Sequence, residues 1–167
     1  MLGGSLLVAP VFSDTTAKYY LPPGRWTDLL TGAPVDGGRW FTEDLDFMRI
    51  PLFVRENTLL ATSPSDRGPE YRFSDGLELQ LFEPADGEEL SAEVFDESQP
   101  SPAVFRCRKK GRTIVLEGDN RLKDVGVLLR NTPSAGKVEN GAIASRADEG
   151  LAVKWKDVSK PLSITLA

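Results

Sequence analysis

Leu151-Ala152-Val153-Lys154-Trp155 and, after residues 156–161, Leu162-Ser163-Ile164-Thr165-Leu166 alternate their large apolar side chains with period two. Successive side chains of a strand point to opposite faces, so one face collects Leu151, Val153 and Trp155, then Leu162, Ile164 and Leu166. A helix of the same residues would scatter them around its axis. Toward the N-terminus the pattern recurs in Leu77-Glu78-Leu79-Gln80-Leu81, Val125-Gly126-Val127-Leu128-Leu129, Thr113-Ile114-Val115-Leu116 and Ser91-Ala92-Glu93-Val94-Phe95. Turn formers separate these runs: Pro22-Pro23-Gly24, Thr31-Gly32, Asp36-Gly37-Gly38, Asp75-Gly76, Asp86-Gly87 and Asn140-Gly141. The 15 glycines and 12 prolines are spaced so that no amphipathic helix of useful length fits. The expected fold class is all-β, built as antiparallel β-sandwiches.

Ser63-Pro64-Ser65-Asp66-Arg67-Gly68-Pro69 is polar and bracketed by prolines, the composition of a boundary. It divides the chain into two consecutive β-domains, residues 1–65 and 66–167. The first is aromatic and proline-rich and small for an independent core. It opens with a strand-like run, Leu6-Leu7-Val8, that has nothing before it to pair with. This domain is therefore expected to lack its first strands.

Bulk properties narrow the function. The 167 residues carry a net charge of −5, with both signs scattered and no Lys/Arg cluster to neutralise a phosphate backbone, so no nucleic-acid partner is expected. An acidic surface also disfavours anionic membranes. No apolar run reaches the roughly 20 residues that span a bilayer, and the first residues lack the basic segment of a signal peptide. Cys107 is the single cysteine, so no intrachain disulfide forms. It lies in an alternating apolar segment, as a small buried hydrophobe does. The chain has no histidine, which removes the usual base for a cysteine or serine nucleophile. A free cysteine is compatible with a cytoplasmic home, the compartment expected here.

Carboxylates remain as candidate chemistry. Among 25 Asp and Glu, Asp28, Asp44, Asp46 and Asp75 are flanked by aromatic or apolar residues, but turn or edge roles outweigh catalysis for each. One Cys and no His exclude the usual zinc sets. Asp86-Gly87-Glu88-Glu89 lacks the alternating ligand spacing of a calcium loop. Ser134-Ala135-Gly136-Lys137 ends like a phosphate loop, yet Asn131 stands where the first glycine belongs and Pro133 intervenes, so it reads as a turn with a solvated lysine. No catalytic, cofactor-binding or metal-ligating residue is assigned.

The aromatic residues Tyr19, Tyr20, Trp26, Trp40 and Phe41 cluster early, while Trp155 stands apart. Exposed aromatics on a β surface stack on sugar rings; buried ones fill cores. Trp26 and Trp40 read as core, and of the adjacent pair Tyr19/Tyr20 one must face out. A carbohydrate-binding β-sandwich module is the alternative reading that this cluster supports. Self-association through edge strands, reduced on removal of residues 1–12, is a third.

Motif order then carries a resemblance. Gly3-x-Ser5-Leu6-Leu7-Val8-Ala9-Pro10-Val11 resembles the segment opening the C-terminal β-region of glycoside hydrolase family 31. Tyr20-Leu21-Pro22-Pro23-Gly24-Arg25-Trp26-Thr27-Asp28-Leu29, Gly38-Arg39-Trp40 and Ile50-Pro51-Leu52-Phe53-Val54-Arg55-Glu56-Asn57-Thr58-Leu59-Leu60 follow in the family's order. The Asn-Thr-Leu-Leu ending is similar to the bacterial α-xylosidase branch. Pro69-x-Tyr71, Leu81-Phe82-x-x-x-Asp86-Gly87, Gly150-Leu151-x-Val153-Lys154 and Leu162-x-Ile164-Thr165-Leu166 continue the likeness. Gly3-Gly4 departs from the family's frequent Gly-Asp.

The resemblance implies proximal and distal C-terminal β-sandwich domains of a retaining α-glycosidase that hydrolyses terminal α-xylosyl residues from oligosaccharides without a cofactor. In that family the Asp nucleophile and Asp acid/base sit on loops of a (β/α)8 barrel. A barrel of about 250 residues is absent from a chain of this length. Met1 falls where longer relatives commonly have an internal methionine, so the chain is expected to be a piece of a longer protein, inactive alone. Its expected partners are the missing barrel, an oligosaccharide and, in the full-length form, further copies of itself.

Overall fold

The computed structural model describes residues 1–11, 15–63, 76–95, 100–147 and 150–167. Asp75, Pro69-x-Tyr71 and the linker residues 64–69 lie outside the described residues. Every regular element among those described is a strand, and no helix is long and apolar enough to cross a membrane. The chain separates into two compact units, Met1–Glu56 and Asn57–Ala167.

In the first unit, β1 (Leu6–Val8), β2 (Thr16–Leu21), β3 (Arg25–Asp28), β4 (Pro34–Asp36), β5 (Arg39–Asp44) and β6 (Leu52–Arg55) form two antiparallel sheets. One has the order β1-β6-β3-β4; the other is the β2–β5 pair. Among the described strands β1 is thus an edge, pairing with β6, and Leu2 adds an isolated bridge to Leu6. Strand β2 alternates strictly, with Ala17, Tyr19 and Leu21 buried and Thr16, Lys18 and Tyr20 outside. Tyr19 is the inward member of the tyrosine pair. It joins Leu7, Trp26, Leu45 and Phe53 in a small core, stacking on Phe41 at 5.5 Å. Trp26 is buried as expected, its indole N–H donating to Pro22 O at 2.9 Å.

Trp40 departs from its expected place in the core: it is 65% exposed. The register explains this. Tyr19 lies opposite Phe41 and Tyr20 opposite Trp40, so Phe41 takes the inward phase of β5 and its neighbour must face out.

The second unit contains β7 (Thr58–Thr62), β8 (Glu78–Phe82), β9 (Glu89–Val94), β10 (Ala103–Lys110), β11 (Thr113–Glu117), β12 (Gly126–Arg130), β13 (Ala135–Glu139), β14 (Gly141–Ala147), β15 (Gly150–Trp155) and β16 (Leu162–Leu166). They make two five-stranded sheets, β13-β16-β11-β10-β9 and β14-β15-β12-β8-β7. Leu79, Leu81, Val127, Leu129, Leu151, Val153 and Trp155 from one sheet pack with Phe105, Cys107, Ile114, Leu116, Leu162 and Ile164 from the other. This is a β-sandwich.

Three features differ from the sequence reading. β7 pairs in register with β8, Leu59 opposite Leu81, so residues 57–62 belong to the second unit and the contact boundary precedes the proline-bracketed stretch. β8 and β12 pair in parallel within otherwise antiparallel sheets. A parallel pair needs a long crossover, and β9, β10 and β11 of the facing sheet supply it. Finally, Ala135-Gly136-Lys137 is not a turn: it lies in edge strand β13, paired with β16 and irregular between Ala135 and Lys137.

Cys107 is buried, and burial pushes its thiol up to about 12. The unfolded thiol ionises near 8.5 while the folded one stays neutral. Above that pH the unfolded state binds fewer protons, so stability is full below it and falls as pH rises toward 12. Between pH 9 and 11 the unit should lose on the order of 1.4 kcal/mol per pH unit from this group. Urea titrations of wild type and Cys107→Ala across that range check it, the variant showing the shallower slope.

Candidate functional site

Of the four carboxylates singled out in the sequence, the structure buries Asp28 and leaves Asp44 and Asp46 exposed. Asp28 ends β3. Its Oδ1 accepts the backbone N–H of Leu30 at 2.9 Å and of Thr31 at 3.1 Å, which closes the turn leading to β4. Its Oδ2 faces Arg49 Nη2 at 3.4 Å. The same guanidinium lies 3.7 Å from Glu43 Oε2 on β5, and Tyr19 donates its hydroxyl to Glu43 Oε1 at 2.7 Å. Burial, then the hydrogen bond to Glu43, raises the Tyr19 phenol above its ordinary value.

Arg49 therefore ties the ends of two strands to the loop that carries it. Asp46 shapes this loop by accepting the N–H of Met48 at 2.9 Å, and Leu45 anchors it in the core. Asp44 instead accepts from Thr16 Oγ1 across the β2–β5 pair at 2.8 Å. The clamped loop displays Phe47 and Met48, both essentially fully exposed. Val11, Leu45, Phe47 and Ile50 border a hollow of about 220 Å³ beside it.

Retaining glycoside hydrolysis needs two carboxyl groups about 5 Å apart facing a sugar from both sides. Asp28 and Glu43 face one guanidinium instead, and Asp28 is further engaged by two backbone donors. Chemically the arrangement is a clamp that fixes a loop. The acidic turn at Asp86–Glu89 is similarly occupied: Asp86 accepts from Gly111 N, and Glu89 pairs with Arg106 and Arg108 across the β9–β10 ladder. Lys137 pairs with Glu139. Among the described residues no group of three or more Cys, Asp or Glu side chains is placed to hold a metal ion.

Sequence reasoning missed Glu43 and Arg49. Tyr19 and Glu43 are 24 residues apart and Asp28 and Arg49 are 21, so only the β2–β5 register and the chain's return through β6 bring them together. An arginine directly before the apolar run that becomes β6 was the available signal.

The fold and this clamp define a class: an all-β region in which a buried carboxylate, Asp28, and the more accessible Arg49 and Glu43 organise a displayed loop. Residues 1–60 match the glycosyl hydrolase family 31 C-terminal domain, and residues 72–166 match the domain described as "Alpha-xylosidase YicI, C-terminal domain". The chain belongs to the C-terminal region of glycosyl hydrolase family 31.

A curated relative, the α-xylosidase XylQ of Lactiplantibacillus pentosus, is 31% identical over 129 residues, covering 72% of this chain and 17% of that protein. An α-xylosidase of Emericella nidulans is 35% identical over 107 residues, covering 58% and 13%. The fold is shared with a family 31 dextranase of Flavobacterium johnsoniae complexed with isomaltotriose. That structure has a TM-score of 0.73 at 18% identity, over 99% of this chain and 26% of the other. The chain thus spans less than a fifth of the length of these curated relatives.

Proposed function

We propose that this chain is the C-terminal β-region of a retaining α-glycosidase that removes terminal α-xylosyl residues from oligosaccharides, and that it buttresses the catalytic barrel while supplying none of the reacting groups. The observation that carries the buttress is the surface of the first unit. Tyr20 and Trp40 aside, six of the ten exposed large hydrophobic side chains among the described residues (Met1, Leu2, Leu30, Phe47, Met48 and Ile50) lie within residues 1–56, with Phe47 and Met48 the most exposed. Exposed apolar groups held on a rigid loop are the mark of a surface that another protein part covers. The clamp through Asp28, Arg49 and Glu43 holds that loop in place before docking, which lowers the ordering cost of association. The α-xylosidase assignment is supported by the domain matched over residues 72–166 and by the two curated relatives. Assembly of the whole enzyme into homo-oligomers belongs to the same proposal.

The test is a chimera in which this chain replaces the corresponding C-terminal region of the Lactiplantibacillus pentosus α-xylosidase. It should fold and hydrolyse an aryl α-xyloside. Phe47→Asp with Met48→Asp should leave the 167-residue chain alone as stable as before, because both side chains are already in water. In the chimera the same pair should cut soluble yield and lower the unfolding temperature by several degrees. A chimera indifferent to the double substitution overturns the docking assignment.

A further inference from the structure

We propose that the outward face of the β2–β5 hairpin is a binding site for a neutral oligosaccharide. The core does not need this face: Ala17, Tyr19, Leu21 and Phe41 point the other way and pack with Trp26 and Phe53. Outside, three cross-strand pairs form a row, Tyr20 opposite Trp40, Lys18 opposite Thr42, and Thr16 opposite Asp44. Tyr20 and Trp40 are 41% and 65% exposed. Their ring centroids are 5.6 Å apart with planes tilted by 56°, so the two rings form an angled pair in which each presents its own exposed surface.

The polar end of the row is already ordered. Lys18 Nζ lies 5.9 Å from the Trp40 ring centre, and Thr16 donates to Asp44 at 2.8 Å. Side chains on one face of a strand recur about every 7 Å, so the row extends roughly 14 Å, longer than a single sugar ring. A pyranose has an apolar C–H face and a rim of hydroxyls. The aromatic pair offers area for the first; the ammonium, Thr16, Thr42 and Asp44 offer donors and acceptors for the second.

The mixture also selects the occupant. A protein surface covering the row would have to remove water from Lys18 and Asp44 and supply each with a counter-charge. A sugar leaves both groups in partial contact with water while replacing some of that water by hydroxyls. A net charge of −5 argues against an anionic ligand. The row distinguishes no particular sugar, so any neutral pyranose chain, xylosyl or not, meets the same surface.

The experiment uses the 167-residue chain with xylotetraose and isomaltotriose as probes. Trp26 and Trp155 are buried, so a saturable change in tryptophan emission reports Trp40. Calorimetry on variants then locates the site: Trp40→Ala should weaken binding by about tenfold or more, and Tyr20→Ala or Asp44→Asn by several-fold. Unchanged near-ultraviolet dichroism of Trp40→Ala establishes that the fold survives. Absence of saturable binding of both probes at tens of millimolar, or equal binding by Trp40→Ala, overturns the proposal. So does Trp40-dependent self-association without sugar binding. Failure here leaves the chimera result untouched, and a failed chimera leaves this site standing.

Discussion

Replacing Trp155 by alanine is expected to lower the stability of residues 57–167 by about 3–5 kcal/mol. The indole is 2% exposed at the end of β15 and packs near Phe105, with ring centroids 6.4 Å apart. The fit around it is close: a Cβ on Gly118 would come within 3.0 Å of Trp155 and 2.6 Å of Val158, leaving little slack for neighbours to fill a void. Its N–H also donates to Lys160 O at 3.1 Å. Asn140 donates to Asp157 O and Lys160 O, so the loop that returns the chain to β16 is held from both sides. Alanine removes the packing and one of these ties. Urea unfolding, followed by the exposure of Cys107 to a thiol reagent, should show an earlier midpoint with little change in slope. A loss below 1 kcal/mol would mean that the sandwich core collapses around the cavity far better than this packing allows.

The second large effect is expected at Gly37→Ala, confined to residues 1–56. A Cβ at this position would sit 1.9 Å from Pro22 O and 3.0 Å from Trp26 Nε1. Pro22 O is the acceptor for the Trp26 indole, and Gly37 N donates to Gly24 O at 2.9 Å. The added methyl therefore forces apart two backbone segments and breaks the hydrogen bond of a buried tryptophan. The cost should reach or exceed the upper end of the roughly 1–3 kcal/mol range for overpacking, because the obstacle is backbone and cannot rotate away. In a unit with few core residues this is enough to unfold it. Tryptophan emission should shift to the red as Trp26 meets water, while Cys107 stays protected in the other unit. Gly4→Ala, with nothing within 4 Å of the new methyl, is the neutral control.

How much of this was legible depends on whether the signal is local. Period-two alternation is local, and it located β8, β11, β12, β15 and β16 within a residue or two. Parentage was legible because several motifs occur in one order along the chain. Trp40 was misplaced because composition cannot tell which of two adjacent aromatics faces in. Arg39 lies over Phe41, 4.8 Å from its ring centre, so an arginine occupies the inward phase of β5 that an apolar residue would have marked. Prolines mark the expected boundary at residues 63–69, while contacts group β7 with the second unit, since it pairs with β8. Lys137 looked like part of a turn because a short polar edge strand has no apolar alternation to betray it. In the clamp, Asp28 was legible as an unusual carboxylate, while Glu43 and Arg49 depend on contacts between residues more than 20 positions apart.

On the function proposed above, the reacting groups lie outside these residues, in a part that they support. Hydrolysis of an aryl α-xyloside by the purified 167-residue chain, freed of host glycosidases, tests it most directly. The expected result is no release of the aryl group above the enzyme-free rate at any pH, with Asp28→Asn and Glu43→Gln indistinguishable from wild type. Turnover that copurifies with the chain and disappears in either variant would contradict it, and would make the Asp28–Glu43 pair a catalytic site instead of a clamp.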